Sequence, residues 1–119
     1  MKPAKTKLTI FQGATFRKRF TWYSPGGTQP IDLTGCTARM QVRLEIDDPA
    51  VLLDLTTENG GITLGGVAGT VDLLVSDTDT SHISWDTGVF DLEIKFANGD
   101  VVRMVYGPVV VSPEVTRSA

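Results

Sequence analysis

Hydrophobic and polar residues alternate along most of this chain with a period of two. The clearest run is Cys36-Thr37-Ala38-Arg39-Met40-Gln41-Val42-Arg43-Leu44-Glu45-Ile46. Cys36, Ala38, Met40, Val42, Leu44 and Ile46 fall on one face, and Thr37, Arg39, Gln41, Arg43 and Glu45 fall on the other. Such a pattern predicts a strand with one face in a core and one in water, because successive side chains of a strand point to opposite sides. Leu8 to Phe11 reads as a short first strand. Ala14 to Tyr23 reads as a second, with Phe16, Phe20 and Trp22 inward and Arg17, Arg19 and Thr21 outward. Lys18 falls on the apolar face, so it is expected at a sheet margin with its ammonium reaching water.

Turn chemistry separates the runs. Ser24-Pro25-Gly26-Gly27 breaks the chain. In Ile31-Asp32-Leu33-Thr34-Gly35, Asp32 and Thr34 can bond nearby backbone N–H groups, and Gly35 can take positive φ. Asp47-Asp48-Pro49 ends the Cys36–Ile46 strand, and Val51 to Leu55 follows as the next. After Asn59-Gly60-Gly61 come brief Ile62 to Leu64, a glycine-rich loop, and Thr70 to Ser76. Asp77 to Trp85 lacks alternation and opens with Asp77-Thr78-Asp79-Thr80-Ser81, so it reads as a loop with at most one helical turn. Gly88 to Phe96 and Val101 to Val111 form a hairpin across Asn98-Gly99, a two-residue turn expected to place both residues at positive φ. The returning strand is expected to bend near Gly107-Pro108. About eight short strands at this spacing predict an all-β antiparallel sandwich or barrel. It spans residues 8–111, with a basic arm at 1–7 and a tail at 112–119.

Composition changes this picture little. The 119 residues suit one domain, and a single cysteine permits no internal disulfide. Cys36 reads as a small core residue, and the thiol usage fits synthesis in a reducing cytoplasm. No apolar run approaches the length of a membrane span. No long apolar segment follows the basic N-terminus, so it does not read as a secretory signal.

Charge adds more. The net charge of −3 argues against a basic nucleic-acid-binding domain. It conceals a split: residues 1–43 hold eight Lys/Arg and one acid, whereas residues 44–119 hold three and thirteen. Either the halves interleave and cancel across neighbouring strands, or the subunit is polar and its basic side meets an acidic side on a neighbour.

Candidate chemistry is sparse. His82 lies among Ser81, Ser84, Asp77, Asp79 and Asp86, but clustering in one loop does not make a triad, which needs a spatial arrangement and an oxyanion hole. The Asp77–Ser81 run offers alternating oxygens as a calcium loop does. However, His82 stands at the sixth position, where glycine is needed, and Gly88 at the twelfth, where glutamate is needed. Arg17, Lys18 and Arg19 interleave with Phe16, Phe20 and Trp22, but the alternation sends aromatics inward and two of the cations outward, so they form no stacking strip. No catalytic, cofactor or metal site is expected, and no direct contact with nucleic acid or membrane.

One resemblance adds to this. Gln12-Gly13-Ala14-Thr15-Phe16, Phe20-Thr21-Trp22 and Pro30-Ile31-Asp32-Leu33-Thr34-Gly35-Cys36-Thr37-Ala38-Arg39-Met40-Gln41-Val42-Arg43 resemble a family of small structural proteins of tailed bacteriophages and prophages. Leu53 to Ile62 and Tyr106 to Arg117 resemble its middle hairpin and closing strand. Cys36 departs from the bulky residue expected there. The Asp32–Gly35 corner is also similar, more loosely, to the immunoglobulin-like N-terminal domain of phage baseplate upper proteins.

The resemblance implies an immunoglobulin-like sandwich in the virion, near the tail, baseplate or fibre, made in the host bacterial cytoplasm. Its partners would be other virion proteins and further copies of itself. Two alternatives are a capsid decoration protein and a receptor- or carbohydrate-binding module stacking sugars on exposed Trp22 or Trp85. The expected contact elements are the basic arm (Lys2, Lys5, Lys7), the wet face of the Cys36–Ile46 strand (Arg39, Arg43), and the Asp77–Asp86 loop (Asp77, Asp79, His82, Trp85).

Overall fold

The computed structural model describes residues 2–117. Met1 of the arm and the last two residues of the tail lie outside the described residues. Nine strands form two sheets. The larger contains β1 (Ala4–Lys5), β2 (Leu8–Phe11), β4 (Thr37–Arg43), β5 (Leu53–Thr56), β8 (Thr87–Lys95) and β9 (Val101–Ser112). Its order is β1-β9-β8-β4-β5, with β2 also on β9. The smaller contains β3 (Phe16–Thr21), β6 (Ile62–Leu64) and β7 (Thr70–Val75), in the order β3-β7-β6.

The core lies between the sheets, where alternation put it. Met40, Val42, Phe90, Leu92 and Ile94 from the larger sheet and Val71, Leu73 and Val75 from the smaller are all buried. Burying each such side chain stabilises the fold by roughly 1.5–3 kcal/mol. Trp22 is buried too, its ring 5.9 Å from that of Phe96. β3 is an edge strand, and Lys18 escapes to solvent there with its ammonium over the Phe20 ring. The Asp32–Gly35 corner closes on Asp32 and Gly35, while the Thr34 hydroxyl bonds Asp32 rather than a backbone N–H. Asp32 Oδ1 accepts from the Thr34 amide at 2.9 Å and the Thr34 hydroxyl at 2.6 Å, Leu33 is buried, and Gly35 sits at φ 78°.

The sandwich is not wholly antiparallel. β1 and β2 run parallel to β9 in one constant register, Ala4 opposite Val105 and Leu8 opposite Val109. They are two pieces of one edge strand, interrupted opposite Gly107 and Pro108. Proline has no N–H to offer the ladder. The gap is bridged by the Thr6 amide, which donates to the Tyr106 carbonyl at 2.9 Å. The arm is therefore part of the sheet from Ala4 onward. Gly107 permits this approach, since a Cβ there would strike the Thr6 carbonyl.

Four further expectations are corrected. β4 ends at Arg43, and Leu44 and Ile46 are exposed, because the chain turns at Glu45–Asp48 with the Asp48 amide donating to the Glu45 carbonyl. At Asn98-Gly99 only the glycine has positive φ. The Gly99 amide donates to the Phe96 carbonyl at 2.9 Å, so Ala97 and Asn98 are the turn centre and Gly99 is the bulge residue. The break in β9 is a bulge at Met104 rather than a bend at Gly107-Pro108. Leu92 faces Val105 while Glu93 faces Arg103, leaving Met104 without a partner on β8. Finally, Ser112 belongs to β9, and the first residues after it are tied back, with the Glu114 amide donating to Gln12 Oε1 at 2.8 Å.

α1 (Asp77–Ser81) crosses from β7 towards β8 and is one short turn of helix, as the sequence allows. Ser76 caps it by accepting from the Asp79 amide, and Asp77 and Asp79 suit the positive N-terminal turn. Thr80 is fully buried beneath it. Its hydroxyl donates to the Ala14 carbonyl at 2.8 Å and accepts from the Gly13 amide at 3.1 Å.

Gly107→Ala should detach the N-terminal strand rather than unfold the sandwich. We expect a loss of roughly 1–3 kcal/mol. Hydrogen exchange should show lost protection at Lys5, Thr6 and the β2 amides, with β4 unchanged.

Candidate functional site

Strand register builds the outer face of the larger sheet. Residues opposite one another share a face, so three rows cross the sheet. The first runs Arg103, Glu93, Arg39 and the second Lys5, Tyr106, Asp91, Gln41. The third runs Pro108, Val89, Arg43. Together with Ile46 from the loop after β4, they line an open groove of about 750 Å³. That volume lies within the ~300–1,000 Å³ range of ligand-sized clefts.

Its electrostatics are uneven. Arg39 Nε lies 3.3 Å from Glu93 Oε1, and Arg103 Nε 3.5 Å from Asp91 Oδ2. These solvent-facing pairs are worth about 0–1 kcal/mol each and mainly set the orientation of the side chains. Arg43 has only neutral acceptors, the Asp48 carbonyl at 2.7 Å and Gln41 Oε1 at 2.9 Å, so its charge is not cancelled. Lys5 makes no ion pair among the described residues. The groove thus holds four cations against two carboxylates, in a chain of net charge −3.

The expected contact residues divide into two places. Lys5, Arg39 and Arg43 come together in the groove. Asp77, Asp79, His82 and Trp85 lie at the end of the sandwich where β2, β7 and β9 finish. There His82 is exposed, and its Nδ1–H donates to the Thr78 carbonyl at 2.8 Å. Trp85 is half-buried and packs on the core. Lys2 and Lys7 are exposed on the N-terminal segment and do not line the groove. Trp22 is buried and offers no stacking surface, which leaves the sugar-binding alternative only half-buried Trp85. No group of three or more potential metal ligands occurs among the described residues.

Tyr106, Asp91, Glu93 and Arg103 were not among the expected contacts. Alternation along Gly88–Phe96 marks Asp91 and Glu93 as outward, but nothing local reveals that β8 runs between β4 and β9. Tyr106 is hidden by the bulge at Met104. Gln12, in the Gln12–Phe16 motif, has a structural role: its Nε2 donates to the Ile83 carbonyl at 3.0 Å while its Oε1 holds the Glu114 amide. Burial of Cys36 pushes its thiol pKa up, away from the reactive thiolate.

The charge split resolves in part across strands. Arg39 pairs with Glu93, and on the smaller sheet Arg19 makes a two-pronged pair with Asp72 at 2.7 and 3.0 Å. Each joins a base of the first half to an acid of the second. No protein-family model and no curated protein matches this chain.

The Arg19–Asp72 pair gives a pH test. The hydrogen bond from Arg19 holds the Asp72 carboxyl below the usual carboxylate range. A group lowered on folding stabilises the fold above its unfolded value of about 4, and the gain is lost as pH falls through the lowered folded value. Asp72→Asn should therefore lower the urea midpoint by roughly a few tenths of a molar at about pH 7. As pH falls through that lowered value, the difference between variant and parent should shrink away.

Proposed function

We propose that this protein is a non-enzymatic structural module of a tailed-bacteriophage particle, at its tail, baseplate or fibre, and that it works by docking. The groove on the larger sheet carries this reading. A rigid sheet presents ordered charges, a half-exposed Tyr106 and an exposed Ile46 on one concave face. Aromatic and arginine side chains in such a setting are the usual energetic anchors of protein contacts. Three polar side chains around α1 are spent on holding loops together: Thr80, Gln12 and the His82 ring all bond backbone groups.

The strand order supports an immunoglobulin-like reading of the fold. In the variable-type sandwich, strands C′, C, F and G share one sheet, and B, E and D form part of the other. Here β5-β4-β8-β9 and β3-β7-β6 follow that order. The N-terminal strand joins β9 alone and leaves β3 uncovered, where a four-stranded second sheet would pair it.

A photoreactive aromatic residue in place of Tyr106 tests the function. Irradiation of intact particles should join this chain to a neighbouring particle protein, and electron microscopy density should place it outside the head. Absence of the chain from purified particles would end the proposal. Density on the capsid lattice would move it to a decoration role.

A further inference from the structure

We propose that the groove receives the acidic α1 end of a second copy of this chain, so that copies dock head to tail. This inference rests on the docking reading above and names the partner of that site. The argument is charge complementarity. The groove keeps an excess of positive charge after its internal pairs, from Lys5 at one flank and Arg43 at the other. The β1 and β4 backbones that carry them are three strand spacings apart, about 14 Å across the sheet. The rest of the molecule carries a net negative charge, with a second group of cations at Arg17, Lys18 and Arg19 on β3.

The α1 end is an exposed acidic surface. Asp77 and Asp79 project from the first turn of α1, Asp86 follows it, and all three are exposed. None of them has an ion-pair partner among the described residues. Two grooves facing each other in a symmetric pair would oppose like charges, which disfavours that arrangement. A groove meeting an acidic end instead joins unlike surfaces. Such a heterologous contact leaves a free groove on one copy and a free acidic end on the other, so it propagates into a ring or a filament.

Sedimentation velocity of the full chain, up to about 0.5 mM, tests this. Wild-type protein in about 0.05 M salt should associate beyond a dimer, and about 0.5 M salt should weaken association about tenfold or more. Lys5→Glu disables the groove, and Asp77→Asn with Asp79→Asn disables the acidic end. These side chains are exposed, and circular dichroism checks that both variants stay folded. Each variant alone should be monomeric. Their equimolar mixture should stop at a 1:1 dimer, because only one intact groove and one intact acidic end remain to meet.

A wild-type chain that stays monomeric at low salt overturns the inference. So does association that neither variant reduces, or a mixture that stays monomeric. If Tyr106 crosslinks only to a different particle protein, head-to-tail docking fails while the structural role stands. Absence from particles removes the structural role itself.

Discussion

One extra residue in β9 decides what this protein shows to its surroundings. Before the bulge, Val102 and Met104 point inward and Arg103 points out. After it the parity reverses. Val105, Gly107, Val109 and Val111 are buried, and Tyr106 and Pro108 face out. A bulge permits this because two residues on one strand oppose a single residue on the other. With unbroken alternation Tyr106 would compete for the core, and three valines would lie on the surface. The middle of the groove exists because Met104 and Val105 are both turned inward.

The same strand organises the N-terminus. Its outer edge is taken by β1 and β2, which leaves no long edge of β9 open to unplanned pairing. Lys5 reaches the groove only through this pairing, since it lies opposite Tyr106. At the far end, Gln12 and Thr80 tie three separate segments together through backbone groups that would otherwise be left unsatisfied. The motif residues that stand out in the sequence, Gln12, Gly13, Asp32 and Gly35, mainly solve backbone problems. Their pattern therefore reports on fold more than on any partner.

Much of the fold was legible because alternation is a direct consequence of strand geometry. The inward set of β4, the inward set of β8, the Asp32–Gly35 corner and the short helical turn all follow from local chemistry. What escaped was non-local or ambiguous. In Val101–Val111 nearly every position is apolar, so a change of parity leaves no trace. Ala4–Lys5 is too short and polar to read as a strand, and it is held by β9 rather than by its own side chains. Leu44 and Ile46 continue the alternation past the end of pairing. Of the groove, Arg39 and Arg43 could be read as outward. Their meeting with Lys5, Tyr106 and Arg103 depends on strand order, which periodicity does not encode.

A cross-strand NOE map of the β8–β9 hairpin examines the bulge most directly. Contacts from Leu92 to Val105 and from Glu93 to Arg103, together with Lys5 to Tyr106, are the expected result. Contacts from Leu92 to Met104 and from Asp91 to Val105 would show an unbroken ladder, and would contradict the account of how Tyr106 comes to face the groove.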